Sequence, residues 1–338
     1  MKKALITFLC ISFFALGARA QNDSTENKNI RTGWTFGALP SVSFDADLGF
    51  QYGALSNIYY FGDGSTYPDY IHSIYVEASN TTKNYGLLRL AYDSKYLIPN
   101  HRLSIDLSYM PDAACNFYGY NGYQTNFHPE WMTNEKGETD GRYMPGFYMF
   151  KRDIFRLTGD IQGPISRHWF WNAGVGLMNY GVGNINFDKI YGEREGATDT
   201  SLYQLYVDKG FITKEEANGG FNPYIHGGVT YDTRDRQQNP HYGIHADAFL
   251  TYNAAFGEQK DYNNLYLNAC WRHYIPLGSQ RVTFAYRAGT QLLLAGKSPF
   301  YTNNYMNQLY MQRAIYEGPG GANSTRGLMR NRILANGF

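Results

Sequence analysis

From Arg102 to Met110 the side chains change character at every step. Leu103, Ile105, Leu107 and Tyr109 fall on one face, and Arg102, Ser104, Asp106 and Ser108 on the other. A helix would scatter these residues around its axis, whereas a strand, with its period of two, separates them. Arg281 to Ala288 repeats the pattern, with Val282, Phe284, Tyr286 and Ala288 set against Arg281, Thr283, Ala285 and Arg287. Between Gly243 and Tyr252, Ile244, Ala246, Ala248 and Leu250 oppose His245, Asp247 and Thr251, with Phe249 as an exception. Strands with one face of bulky apolar groups and one of charges and hydroxyls fit a wall between lipid and an aqueous lumen.

This pattern predicts strands at 34–42, 49–60, 69–80, 84–94, 101–110, 143–157, 167–180, 221–232, 243–252, 262–274 and 280–293. Most are near the ~9–11 residues that cross a bilayer. The long connections, 111–142, 181–220 and 294–326, all follow odd-numbered strands. The even connections are expected to be shorter, as at Pro99-Asn100 and Leu277-Gly278. In an up-and-down barrel, odd connections share one side, and outer-membrane barrels place their long loops outside the cell. The expected fold class is therefore all-β, a transmembrane antiparallel up-and-down β-barrel.

Composition agrees. Charged residues make up 17% of the chain and aromatic residues another 17%, including 31 Tyr and 21 Phe. Soluble domains carry about 25% charged residues. Mean hydropathy is nonetheless −0.47, as expected when an apolar exterior surrounds a polar interior. Lys2 and Lys3, the uncharged run Ala4–Leu16 and Ala18-Arg19-Ala20 read as a cleaved signal peptide over 1–20. A short periplasmic segment, 21–33, and the barrel, 34–338, follow. The net charge of +1 gives no reason to expect a nucleic-acid partner. Cys115 and Cys270 are too few for a disulfide framework and are expected to be free or incidental.

Two segments stand out. Tyr231-Asp232-Thr233-Arg234-Asp235, with Asn239-Pro240 and Gly243, has the composition of a turn. Gly318-Pro319-Gly320-Gly321 leads into Ser324-Thr325-Arg326-Gly327-Leu328, a glycine-rich loop with one arginine. In order, spacing and strand number they resemble the BamA/TamA-type outer-membrane assembly superfamily, the bacterial surface antigen family. The matching residues are Asp232, Arg234, Asp235, Pro240, Gly243, Arg326 and Gly327, and the resemblance covers roughly 34–338.

That resemblance implies a non-enzymatic factor that assists insertion or translocation of proteins or lipids, with Arg326 bracing a loop inside the lumen. Outer-membrane lipids, client chains and a separate periplasmic partner are its implied associates. The chain departs from the family at Thr325 and Leu328, in lacking room for POTRA modules before the first strand, and in strand number. The family's barrel has sixteen strands, so the expectation is a fragment of a longer protein, or a barrel closing in another way. The alternative function is a passive channel or surface receptor.

No spacing among the Ser, His and acidic residues marks a catalytic triad, and a lipid hydrolase is the least favoured reading. His226, His245 and Asp247 read as lumen lining, and Asp188, Glu193 and Glu195 as a solvated loop. Neither cofactor nor metal is expected. Phe117, Tyr118, Tyr120, Tyr123, Phe127 and Trp131 are expected to pack the first long loop over the barrel mouth. Trp169, Trp171, Trp271 and Tyr274 read as interfacial girdle.

Overall fold

The computed structural model describes residues 30–45, 49–82, 85–120, 127–128, 145–191, 200–237, 239–302 and 331–337. It is an antiparallel meander: β1 (Trp34–Asp45), β2 (Gly49–Tyr60), β3 (His72–Thr81), β4 (Gly86–Ile98), β5 (His101–Asn116), β6 (Met149–Pro164) and β7 (Trp169–Gly183), then β9 (Tyr224–Asp232), β10 (Gly243–Asn253), β11 (Asn264–Leu277) and β12 (Ser279–Gly296). The short β8 (Gly219–Phe221) pairs with β7 beside this path. Among the described residues no pairing joins β1 to β12. The far edge of β12 instead meets the segment 331–337, through a bridge between Leu292 and Gly337 and a bond from the Leu293 amide to Asn336 O at 2.9 Å.

The alternation read from the sequence is the alternation of the sheet. On β5, Ile105, Leu107 and Tyr109 are 41%, 37% and 40% exposed, while Ser104, Asp106 and Ser108 are 7%, 7% and 1% exposed. Phe36, Phe44, Val76, Leu90, Val175 and Phe284 continue the exposed apolar face on other strands. Glu77, Arg89, Arg156, Asn172, Thr230 and Asn268 continue the buried polar one. A soluble protein has the opposite arrangement. Phe249 turns inward on β10 because Gly228, its partner on β9, has no Cβ, and one there would lie 2.3 Å from that of Phe249.

Several boundaries differ from expectation. β5 continues past Pro111 to Asn116, absorbing the imino acid with a register shift between Asp112 and Cys115. β6 begins at Met149 rather than 143, because Pro145–Tyr148 winds into a 3₁₀ turn. The strand expected over 221–232 is divided. Pro223, which cannot donate to a ladder, separates β8 from β9. The even connections at 99–100 and 165–168 are tight as expected, but 61–71 and 233–242 are longer.

The described parts of the long odd connections meet at one end. Phe117, after β5, lies 5.8 Å from Phe300, after β12, and Phe150 lies 5.7 Å from Phe300 (ring centroids). Tyr203 belongs to α1 (Leu202–Asp208), between β7 and β8, and stacks 5.8 Å from Phe150. Asn331 Nδ2 reaches Cys115 Sγ at 3.5 Å, so the segment 331–337 links β5 to β12. These contacts join elements far apart on the sheet path, so the sheet curls with its polar face inward.

Candidate functional site

The turn 233–242 closes the end opposite these loops. Gly243 has φ +106°, and a Cβ there would lie 2.4 Å from Thr233 O, so only glycine fits. Asn239 sits at φ 49°, in the left-handed region that asparagine tolerates. Asp232 holds Arg234 in a fork, with Nη2–Oδ2 at 2.7 Å and Nε–Oδ1 at 3.0 Å, and also accepts from the Arg234 amide at 3.1 Å. Asp235 accepts from the His241 amide at 2.9 Å and the Tyr242 amide at 3.4 Å, and faces His241 Nδ1 at 3.2 Å. Desolvation works to raise the Asp235 carboxyl, but these bonds and Arg236 outweigh it and hold it at about 2. Thr283 Oγ1 donates to His241 O at 3.3 Å, tying the turn to β12.

From this turn a polar chain runs along the inner wall. His245 lies with Nε2 4.0 Å from Asp232 and Nδ1 3.2 Å from Asp247. Asp247 accepts from Thr230 Oγ1 at 2.8 Å, which itself accepts from Asn172 Nδ2 at 2.7 Å, and Gln162 Nε2 donates to Asn172 at 2.9 Å. The chain thus spans β10, β9, β7 and β6. It borders a cavity at the turn end that also touches Lys95, Arg102 and Arg234.

On the other half of the wall Asp106 lies between two guanidinium groups, with Arg89 Nη2 and Arg156 Nη2 each at 2.7 Å. Ser108 Oγ donates to the same carboxylate at 2.5 Å. Charges buried this deeply persist only when paired and hydrogen-bonded. Asp160 and His226 meet at 3.0 Å from β6 and β9, across β7. They meet because Gly174, paired with both, has no side chain. A Cβ there would lie 2.3 Å from Asp160 Oδ1 and 2.5 Å from His226 Nε2.

The loop end is dry. Phe117, Phe150, Tyr203, Phe300 and Tyr301 fill it, with Tyr301 fully buried. Glu216, in α2 (Lys214–Ala217), accepts from the Phe300 amide at 3.0 Å and the Thr213 amide at 3.2 Å. Tyr301 donates to Gln259 Oε1 at 2.9 Å and lies 3.0 Å from Asn222 Oδ1. Burial, with the nearby Glu216 carboxylate, pushes the Tyr203 phenol up to about 12.

Asp232, Arg234, Asp235, Pro240 and Gly243 are thus brought together in one turn. Arg326 and Gly327 lie outside the described residues, as do Tyr123, Trp131, Glu193 and Glu195. His226, His245 and Asp247 face inward, Asp188 is exposed, and Cys115 and Cys270 are both buried. Among the described residues no cluster of His, Cys, Asp and Glu is arranged to hold a metal. Phe117, Tyr118, Tyr120 and Phe127 pack as expected. Sequence reasoning missed the Asp106 cluster and the Asp160–His226 pair. The signals available were charges on the polar faces of neighbouring strands and a glycine in mid-strand, which marks a close approach.

No family model matches the chain, and no curated protein matches it. Among solved structures it is similar to BamA from Haemophilus ducreyi lacking POTRA domains 1–3, at 16% identity and a TM-score of 0.49. The match covers 86% of this chain and 48% of that one, so the chain spans about half the length of that relative.

Proposed function

We propose that this protein is an outer-membrane β-barrel that assists the insertion or translocation of proteins or lipids, as the BamA/TamA-type factors its turn residues resemble do, and that it is not an enzyme. The observation that carries the membrane reading is the inverted polarity of the sheet. Its exposed face is a continuous apolar band and its buried face holds Asp106, Arg89, Arg156 and Asp247. In water such a sheet would expose the wrong side, whereas in a bilayer each face meets its preferred surroundings. Residues 1–20 act as the export signal in this reading. The associates are outer-membrane lipids and a client or separate periplasmic partner, with no nucleic acid.

The aromatic cluster of Phe117, Phe150, Tyr203, Phe300 and Tyr301 at the loop end supports an assembly role over passive flux. The test is depletion in the native host, followed by unboiled-gel analysis of other outer-membrane barrels and assay of surface lipid. The reading predicts misfolded barrels or disturbed lipid asymmetry. Steady unitary conductance of the purified protein in planar bilayers, with membrane assembly intact after depletion, would instead establish a channel.

A further inference from the structure

Arg272, beside the turn-end cavity, stands without a carboxylate among the described residues. That cavity, of about 570 Å³, is lined by Lys95, Arg102 and Arg234, and each of these has its own partner: Asp69 at 3.2 Å, Asp93 at 2.8 Å and Asp232 at 2.7 Å. His245 also lines it and begins a row across the inner wall. It lies opposite Arg272 on β11, which lies opposite Arg287 on β12. Alternation puts both arginines on the inner face, in phase with the buried Asn268 and Cys270 on β11 and Gln291 on β12. The carboxylates beside His245 are engaged, Asp232 by Arg234 and Asp247 by Thr230. Of the Arg272 nitrogens only Nη2 is both buried and unpartnered, and the residue as a whole is half-buried. Nε and Nη1 are therefore open to the lumen.

Like charges directly opposite each other on neighbouring strands repel. The same wall holds a second pair of arginines with the repulsion relieved. Arg89 on β4 and Arg156 on β6 both face Ser108 on β5, and Asp106 lies 2.7 Å from each. We propose that Arg272 and Arg287 bind a phosphate group, carried by a lipid headgroup or by free inorganic phosphate, which takes the place that Asp106 fills in the other pair. Facing residues of an antiparallel pair have Cβ atoms about 4.5–5.5 Å apart, so both guanidinium groups reach one phosphate. The guanidinium fork matches phosphate oxygens two at a time, and two such cations match a phosphate monoester dianion. Ala285 and Gly289, either side of Arg287 on the same face, are small and exposed and do not crowd the pair. The site goes beyond the assembly role and would stand in a channel as well.

The test is calorimetric titration of the full chain in an uncharged detergent, with inorganic phosphate and, separately, with dioctanoyl phosphatidic acid. The proposal expects saturable one-to-one binding, weakened about tenfold or more by Arg272→Gln and by Arg287→Gln. Arg167→Gln, which removes an exposed arginine from the turn 165–168 at the same end, should leave it unchanged. Lipid binding that depends on Arg272 and exceeds that of free phosphate assigns the headgroup. Dependence shown by free phosphate alone assigns the ion. Absence of saturable binding, or a loss as large in Arg167→Gln, would overturn the proposal. Should Arg272→Gln fail to fold, as an altered band in unboiled gels would show, the exposed Arg287 decides. Full binding in Arg287→Gln would then contradict the site.

Discussion

The two ends of the interior are built on opposite principles. At the loop end, Phe117, Phe150, Tyr203, Phe300 and Tyr301 pack on one another, with the Tyr301 hydroxyl held by Gln259 and Asn222 and the Phe300 amide by Glu216. At the turn end, Asp232, Arg234 and His245 line an open cavity, and Asp235 and His241 pair within the same turn. The loop end is held by non-directional burial, which tolerates many sequences of similar volume. The turn end is held by directed bonds and one obligatory glycine, which tolerate few. The difference explains why the recognisable residues gather at the turn, whereas the aromatic cluster shows in the sequence only as aromatic richness.

The largest expected effect is at the loop end. Phe300→Ala removes a ring that touches four other aromatic side chains, a loss of about 3–5 kcal/mol for a buried phenylalanine. The expected result is rapid proteolysis within the long connections while the strands stay protected. If the strands became equally sensitive, the two ends would be one cooperative unit and the contrast would fail.

Gly243→Ala tests the turn end. The change forces a Cβ against Thr233 O and a side chain into positive φ, at a cost of about 3 kcal/mol. A less heat-resistant band in unboiled gels is expected, with the aromatic loops still protected from protease at low temperature. An unchanged midpoint would show that the turn can relax without glycine.

The smallest effect is a dependence on pH. Asp235 is depressed in the folded chain to about 2 from an ordinary 3.8. Its contribution is therefore present above about 3.8 and is lost as pH falls toward about 2. Melting temperature should fall over that window, and Asp235→Asn should flatten this part of the profile. An identical slope in the variant would remove Asp235 from the account.

How much of this was legible in the sequence follows the same division. The alternation at 102–110 and 281–288 fixes strand identity and facing, because a period of two leaves no freedom once one face is apolar. The turn at 232–243 was legible because Asp, Asn, Pro and Gly each constrain the backbone locally. The course of β5 past Pro111 was not, since a register shift depends on the partner strand. Nor were the meeting of Asp106 with Arg89 and Arg156 or that of Asp160 with His226. Those depend on which strands become neighbours and in what register, and residues far apart in sequence carry no local sign of it. His226 needs Gly174, and no reading of either strand alone joins them.

The central claim is that the apolar face of the sheet lies in lipid. Single cysteines at each position from Leu103 to Tyr109, with Cys115 and Cys270 replaced by serine, can carry a nitroxide label for electron paramagnetic resonance in bilayers. Accessibility to oxygen, which partitions into lipid, should peak at 103, 105, 107 and 109 and fall at 104, 106 and 108. Accessibility to a water-soluble nickel chelate should stay low at the odd positions. Odd positions open to the chelate and closed to oxygen would mean that this face meets water, and the membrane reading would be wrong.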